Sequence, residues 1–176
     1  MYYVVQVATG QEDKMVEDIK KYNSNNNANF DVFTPSRKVL RKYKGVYVEY
    51  VERCFPGYVF VETDDAKQLF YDLYQIPGFT KLLGREGYSY HFTPLDKDEE
   101  RMVNILYGRA HGRSTEISDI EILEGDVVRI LRGPLTDIEG TVVKYNLHKR
   151  KATIEISLFQ RKVTCQVGIN IITKVS

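Results

Sequence analysis

The strongest constraint on the fold of this chain is a Pro-Gly pair followed by a run of aromatic and β-branched residues, at residues 54–61 (CFPGYVFV). The Pro-Gly pair predicts a turn, and the run after it predicts a β-strand. Val59 and Val61 would lie on one face of this strand, and Tyr58 and Phe60 on the other. Either the strand is central and buried on both faces, or its aromatic face is a surface that binds another protein.

Strand and helix signals succeed one another over residues 1–107 in the order β-α-β-β-β-α-β-α. Thr9 and Glu12 have the spacing of a capping box, which predicts a helix over residues 11–22. Thr93 before Pro94 predicts the start of a later helix. The pattern predicts a compact α+β domain at residues 1–107, in which helices cover an antiparallel sheet.

The composition changes after residue 107. Residues 108–119 are polar and lack apolar periodicity, which predicts a flexible linker. From residue 120 to residue 176, short apolar runs are separated by glycines, which predicts five short strands. Since so short a segment cannot form a large sandwich, and since closure removes exposed edges, a small all-β barrel is expected at residues 120–176.

The longest strand of this barrel predicts an outward-facing aromatic side chain. Ala152, Ile154, Ile156 and Leu158 share one face of the strand, so the alternation places Phe159 on the opposite, polar face. A single exposed phenylalanine is common on protein surfaces. Alternatively, a partner buries Phe159, and full burial would contribute about 1.5–3 kcal/mol.

Two basic segments are candidates for contact with nucleic acid. The first, at residues 37–44, has no acidic residue and precedes Gly45 and an alternating strand, so a β-hairpin with a basic tip is expected. These charges either protect a sheet edge from aggregation or contact phosphate groups. The candidates for nucleic-acid contact at this tip are Arg37, Lys38, Arg41, Lys42 and Lys44.

The second basic segment, at residues 144–151, has a tyrosine and a histidine among its basic residues. Cationic groups suit contact with phosphates, and aromatic rings suit stacking on unpaired bases. A merely soluble hairpin tip is the alternative. The candidate RNA-binding residues, which include two from a nearby turn, are Lys144, Tyr145, His148, Lys149, Arg150, Lys151, Arg161 and Lys162.

Several classes of function are not indicated by the sequence. It has no P-loop, no dinucleotide-binding glycine motif and no HExxH motif, and its three histidines and two cysteines lack zinc-ligand spacing. No catalytic residue, metal or cofactor is therefore predicted, and a binding protein is favoured over an enzyme. We also expect a cytoplasmic location without membrane contact, because signal-peptide, membrane-span and disulfide patterns are not seen.

Four segments, in order along the chain, resemble the NusG/Spt5 family of transcription elongation factors. Residues 2–7 (YYVVQV) are similar to the family's opening strand WYVVQ, and residues 54–61 to its signature FFPGYVLV. Residues 77–79 (PGF) resemble the Pro-x-Val before the next strand, and residues 124–140 resemble the KOW motif. The resemblance covers nearly the whole chain.

The resemblance implies two domains: an NGN-type N-terminal α/β sandwich and a small KOW barrel with an SH3-like fold. It implies that the first domain binds the clamp helices of RNA polymerase through an apolar cavity. It also implies that an exposed loop of the barrel recruits ribosomal protein S10 or Rho. Tyr2, Phe55, Tyr58 and Phe60 match the polymerase-binding cavity, and Phe159 matches the partner-binding loop.

Departures from the family pattern indicate a specialised, operon-targeted member. Tyr2 replaces a tryptophan, Cys54 a phenylalanine, Phe60 a leucine and Gln160 a loop glycine. With the basic segment at residues 144–151, the chain resembles the RNA-hairpin-dependent antiterminators called LoaP. The predicted function is a monomeric antitermination factor that binds RNA polymerase and a leader RNA hairpin. Two alternatives remain open: a housekeeping NusG that couples polymerase to S10 or Rho, and a KOW-containing ribosomal or translation protein.

Overall fold

A computed structural model describes residues 1–79, 81–84, 93–107 and 114–174. They form two compact units, each built from segments that are distant in sequence. The first unit comprises Met1–Thr34, Phe55–Glu100 and Leu158–Arg161, and the second comprises Pro35–Cys54, Arg101–Ser157 and Lys162–Ser176. The predicted boundaries at residues 107 and 119 both fall inside the second unit, so the division at those residues stays a prediction.

Up to residue 107, the described elements follow the order β-α-β-β-β-β-α-β-α, which has one strand more between the first two helices than predicted. None of these helices is long and apolar enough to cross a membrane. The helices and strands are β1 (Tyr2–Gln6), α1 (Glu12–Asn26), β2 (Asp31–Phe33), β3 (Ser36–Tyr43), β4 (Val46–Arg53), β5 (Tyr58–Glu62), α2 (Ala66–Leu73), β6 (Lys81–Leu82), α3 (Lys97–Tyr107), β7 (Ser114–Thr115), β8 (Ser118–Ile122), β9 (Val128–Arg132), β10 (Val142–Asn146), β11 (Lys151–Leu158) and β12 (Arg161–Lys174).

The first unit is built on a four-stranded antiparallel sheet with the order β2-β5-β1-β6. The strand predicted after the Pro-Gly turn is β5, an inner strand between β1 and β2. Val59 and Val61 join the apolar core, together with Ile19 of α1 and Leu69 of α2. Phe60, on the opposite face of β5, is fully buried too. In this structure β5 is therefore a central strand buried on both faces.

The capping box predicted at Thr9 is wrong. Helix α1 begins at Glu12, and Gln11 before it makes no side-chain cap. The Glu12 side chain is 1 % exposed, and its carboxylate accepts hydrogen bonds from the backbone N–H of Gly57 at 2.6 Å and of Gly10 at 2.8 Å. The carboxylate therefore ties the start of α1 to the Pro-Gly turn before β5, and this long-range bond replaces the local cap.

The start predicted for α3 at Thr93 is also wrong, by three residues. Asp96 accepts a hydrogen bond from the Glu99 N–H at 2.9 Å, and Glu99 accepts one from the Asp96 N–H at 2.8 Å. This reciprocal pair is a capping box with Asp96 as the N-cap. The helix begins late because the Leu95 N–H bonds the Tyr2 carbonyl at 2.8 Å, which keeps this segment extended beside β1.

The second unit contains a five-stranded sheet with the order β10-β11-β12-β8-β9. Strands β8 and β12 pair in parallel, whereas β8–β9 and β10–β11 are antiparallel pairs. In β11 the side chains of Ala152, Ile154 and Ile156 are buried and those between them are more exposed. The predicted alternation and the all-β character of residues 120–174 are confirmed.

Part of the predicted linker forms β structure. Strand β7 pairs in parallel with the start of β3, and β8 begins at Ser118. These strand pairs supply hydrogen-bond partners to backbone N–H and C=O groups that would bond water in a flexible linker. Residues 114–119 therefore do not behave as a free linker, while residues 108–113 lie outside the described residues.

Strands β3, β4 and β7 form a three-stranded sheet that packs closely on β12. A Cβ atom at Gly168 of β12 would collide with the backbone oxygen of Lys38 and would lie 3.1 Å from the Cα atom of Val39. Only glycine allows β3 to approach β12 this closely. The β3–β4 hairpin is thereby held beside the sheet that carries the β10–β11 hairpin.

Candidate functional site

Three of the four residues assigned to polymerase binding lie together in the first unit. Tyr2, Phe55 and Phe60 are 3 %, 2 % and 0 % exposed, whereas Tyr58 is half-buried. The Phe60 ring lies 5.7 Å from the Phe55 ring and stacks on the Phe33 ring at 5.6 Å, and Phe33 meets Tyr2 edge-on at 5.3 Å. We call Tyr2, Phe33, Phe55 and Phe60 the aromatic cluster.

Phe33 is the member of the aromatic cluster that the sequence analysis missed. It lies directly opposite Phe60 in the pairing of β2 with β5. A signal was available, because the sequence predicts a short strand at residues 30–33, which ends in the aromatic Phe33. Local periodicity does not reveal which strands pair, however, and the contact therefore required the sheet order.

The aromatic cluster is closed in by the segment that leads into α3. The Tyr2 N–H donates to the Glu100 carboxylate at 2.8 Å, and the Tyr2 carbonyl accepts from the Leu95 N–H at 2.8 Å. Leu95 is itself buried. The apolar surface expected for a polymerase is thus part of the packed interior of the first unit in this structure.

The expectation that Phe159 faces outward is wrong, since its side chain is 8 % exposed. Phe159 and Gln160 form the two-residue turn between β11 and β12, with φ values of 52° and 63°, so the strand alternation ends at Leu158. The Phe159 N–H donates to the Glu99 carboxylate at 2.7 Å. Glu99 therefore caps α3 with one oxygen and holds this turn in the first unit with the other.

The basic residues at 37–44 extend along the whole of β3 instead of clustering at a hairpin tip. Only Lys44 lies in the turn, and the strand carrying Arg37 and Arg41 pairs with β4 so that acidic residues of β4 come within reach. Arg37 and Arg41 both contact Glu52, and Lys38 contacts Glu49 and Glu116 at 3.4 and 2.9 Å. Lys42 and Lys44 make no ion pair with any described residue.

Glu52 is the centre of a network of cations in the second unit. Its carboxylate accepts hydrogen bonds from Arg37 at 2.9 Å and from Arg41 Nε at 3.0 Å, and Lys151 Nζ lies 3.3 Å away. Burial alone would raise the pKa of this carboxyl group, but the bonds from Arg41 and Arg37 and the charge of Lys151 outweigh it. The pKa of Glu52 is lowered to about 2.

The network at Glu52 predicts a loss of stability in acid. Because the folded-state pKa lies below the unfolded value, the stabilisation is present above about pH 5 and is lost as the pH falls towards 2. We expect Glu52→Gln to lower the free energy of unfolding by about 2–3 kcal/mol at pH 6 and by almost nothing at pH 2. Urea unfolding followed by circular dichroism measures both differences.

The matched control for this experiment is Glu49→Gln, on the same strand. Glu49 is half-exposed, and its one ion pair within the described residues is with Lys38. Its replacement should change the free energy of unfolding by less than about 0.5 kcal/mol at either pH. A Glu52→Gln effect that stays constant from pH 6 to pH 2 would contradict the assigned role of the Glu52 carboxylate.

The second basic segment supplies the turn between β10 and β11. Lys144, His148 and Lys149 are exposed, and neither lysine is ion-paired within the described ranges. Tyr145 is half-buried, and Arg161 is exposed at the start of β12. Lys162, farther away, pairs with Glu155 at 2.9 Å. The predicted RNA-binding residues thus form one main group at the β10–β11 turn and a smaller one at residues 161–162.

The two basic segments, which are distant in sequence, meet in the second unit. The Tyr47 hydroxyl of β4 donates to the His148 carbonyl at 3.4 Å, and the Arg150 guanidinium lies 4.8 Å above the Tyr47 ring. Lys151 reaches Glu52, as described above. Tyr47 was not among the predicted site residues. The sequence predicts only an alternating strand here, and the fold is needed to show that Tyr47 lies opposite the β10–β11 turn.

The described residues contain no group of three or more histidine, cysteine or acidic side chains arranged to hold a metal ion. His91 and His111 lie outside the described residues. Cys54 and Cys165 are free and buried, and Arg37 Nη1 lies 3.5 Å from the Cys165 sulfur. Arg37 is therefore occupied by internal contacts and is poorly placed to bind a phosphate.

Comparisons with known proteins match nearly the whole chain. Residues 1–106 match the family described as "Transcription termination factor nusG", and residues 124–157 match the KOW motif. A "Transcription termination/antitermination protein NusG" from Thermus thermophilus is 26 % identical over 183 residues, which cover 98 % of this chain and 97 % of that protein. The protein of the same name from Staphylococcus carnosus is 27 % identical over 176 residues, covering 98 % and 94 %.

The fold is also found in a solved structure. Described as "Domain interaction in Thermotoga maritima NusG", it has a TM-score of 0.57 and 19 % identity, and covers 95 % of this chain and 92 % of that one. At this identity the similarity shows the fold alone. It agrees with an α+β arrangement of an NGN-type and a KOW domain, which the two family matches indicate independently.

Proposed function

The chain belongs to the NusG family of transcription elongation and termination factors, which act by binding and not by catalysis, and we propose that it is a specialised antitermination factor. Its N-terminal domain, residues 1–107, binds the clamp helices of RNA polymerase. Its KOW domain, residues 120–176, holds a leader RNA hairpin. The complex then elongates past pauses and terminators.

The observation that carries the proposal is the exposed basic turn between β10 and β11. Lys149 lies in this turn and Lys144 lies beside it on β10; both are exposed and have no ion pair among the described residues, so their charges are available to phosphates. Binding RNA and polymerase with one chain makes the second contact intramolecular, with an effective concentration of roughly millimolar. Two weak contacts thereby give one long-lived complex on a transcript that carries the leader.

Polymerase binding requires the first unit to open. The aromatic cluster is buried, and two bonds of Tyr2, from its N–H to Glu100 and from the Leu95 N–H to its carbonyl, hold the start of α3 beside it. We propose that this is a resting state and that these bonds break when polymerase binds.

In vitro transcription through a terminator tests the proposed function. We expect read-through to require both this protein and the RNA leader encoded upstream of its gene. Lys144→Ala combined with Lys149→Ala should abolish the leader-dependent read-through. It should also lower the salt slope of RNA binding, which is the slope of log affinity against log salt concentration, by about 1–2. The control replaces Lys20 and Lys21, two exposed lysines of α1, and should behave like the wild type. Equal read-through with an unrelated leader would contradict the proposal.

The housekeeping role is the second candidate, and the curated relatives favour it because they bear the name NusG over 98 % of this chain. Under this alternative, ribosomal protein S10 or Rho co-purifies with the wild-type chain, and elongation does not depend on the leader. The Lys144 and Lys149 replacements would then leave elongation unchanged. A KOW-containing ribosomal protein does not explain the family match over residues 1–106.

A further inference from the structure

The two hairpins of the second unit enclose a cleft of about 320 Å³. Leu40, Lys42 and Tyr47 line it from the β3–β4 hairpin, and His148, Lys149 and Lys151 line it from the β10–β11 hairpin. Both walls are fixed, because Gly168 brings β3 against β12 and Tyr47 bonds the His148 carbonyl. The cleft is therefore a composite site that neither basic segment makes alone.

The charge of the cleft favours an anion. Arg37, Arg41 and Lys151 share the single carboxylate of Glu52, so that it neutralises only one of their three positive charges. Lys42 and Lys149 face the cleft from opposite walls and have no ion pair in the part of the chain that the structure describes. Two ammonium groups on opposite walls can contact successive phosphates of one strand.

The cleft also has an apolar part beside these charges. Leu40 contributes an aliphatic side chain and Tyr47 an aromatic ring. The Arg150 guanidinium, 4.8 Å from the ring centre, keeps Tyr47 in place. A nucleotide has a flat base and a charged phosphate, which match the apolar and the cationic parts of the cleft. A volume of about 320 Å³ suits one nucleotide and not a double helix.

We propose that this cleft takes one unpaired nucleotide of RNA, with its phosphates on Lys42 and Lys149 and its base against Leu40 and Tyr47. The inference rests on the proposed function and deepens it, because it states how the RNA is held. Bases inside an A-form helix are paired and stacked and cannot enter a cleft, so the nucleotide comes from a loop or bulge. RNA recognition then needs the β3–β4 hairpin as well as the β10–β11 turn.

Fluorescence anisotropy with the labelled upstream leader RNA tests this site. Lys42→Ala should weaken binding about tenfold and lower the salt slope by about 1, as Lys149→Ala does. The control is Lys67→Ala, because Lys67 is an exposed lysine of α2 and does not line the cleft. It should bind the RNA within about twofold of the wild type.

A second variant separates the shape of the cleft from its charge. Gly168→Ala keeps every cation but pushes β3 away from β12, because the new methyl group collides with the Lys38 carbonyl. With folding verified by circular dichroism, its affinity for the leader RNA should fall at least about tenfold. The wild-type protein should likewise lose at least about tenfold in affinity when the leader is replaced by a blunt duplex of its stem, which has no unpaired nucleotides.

Two results would contradict the proposed nucleotide site in the cleft without contradicting the proposed function. One is wild-type affinity in Lys42→Ala while Lys149→Ala binds weakly, since the β10–β11 turn alone would then hold the RNA. The other is that the wild-type protein binds the blunt duplex, or a DNA strand of the same sequence, as tightly as it binds the leader. Failure of the wild-type protein to bind the leader at all would overturn both the cleft and the leader-dependent function.

Discussion

Replacing Glu12 with alanine is expected to lower the free energy of unfolding by about 2–4 kcal/mol. The Glu12 carboxylate is buried and accepts two backbone hydrogen bonds, from Gly57 and from Gly10. Bonds to a charged group contribute about 1.5–3 kcal/mol each, and the cost of burying the carboxylate, which alanine removes, offsets part of this. The alanine variant leaves both N–H groups without their partner.

Loss of the Glu12 carboxylate should also destabilise the aromatic cluster. Gly57 has a φ of 85° and follows Phe55 by two residues, so the bond from its N–H to Glu12 orients the turn that presents Phe55. We expect Glu12→Ala to increase hydrogen exchange at residues 55–60 more than elsewhere in the sheet.

Urea unfolding and hydrogen exchange check the two effects of Glu12→Ala. The control is Glu17→Ala, which removes an exposed carboxylate from the same helix and should change the free energy of unfolding by less than about 0.5 kcal/mol. If Glu12→Ala is no less stable than Glu17→Ala, the hydrogen bonds to Gly57 and Gly10 do not stabilise the fold.

The sequence predicts those parts of the fold that depend on neighbouring residues. The alternation in β11 and the apolar faces of the helices follow from the period of the backbone, and the structure has both. The predicted caps at Thr9 and Thr93 fail because a distant partner competes: Glu12 bonds Gly57, and Leu95 bonds Tyr2. Local capping rules contain no information about such partners.

The candidate sites show the same division between local and distant contacts. The basic residues are visible in the sequence, but the pairing of β3 with β4 brings Glu52 to Arg37 and Arg41, so part of that charge is neutralised. The family resemblance groups Tyr2 with Phe60, yet it does not reveal that the cluster is closed. Phe159 follows the strand pattern up to a turn, where the pattern ends.

The largest functional effect is expected at Tyr58. Phe60 is fully buried between Phe33 and Phe55, so Phe60→Ala should cost about 3–5 kcal/mol of stability and would not separate folding from binding. Tyr58 is half-buried at the start of β5. Tyr58→Ala should therefore keep the fold and weaken binding of RNA polymerase by about 30-fold or more, as loss of an aromatic anchor does.

Two measurements separate polymerase binding from RNA binding in Tyr58→Ala. Affinity for RNA polymerase should fall, while affinity for the leader RNA stays unchanged, because the cleft between the hairpins is built from other residues. Tyr74→Ala, which removes an exposed tyrosine from the end of α2, should leave both affinities unchanged. Phe60→Leu keeps most of the buried volume and should bind polymerase better than Tyr58→Ala. A folded Tyr58→Ala protein with wild-type affinity for polymerase would show that polymerase does not bind at this end of β5.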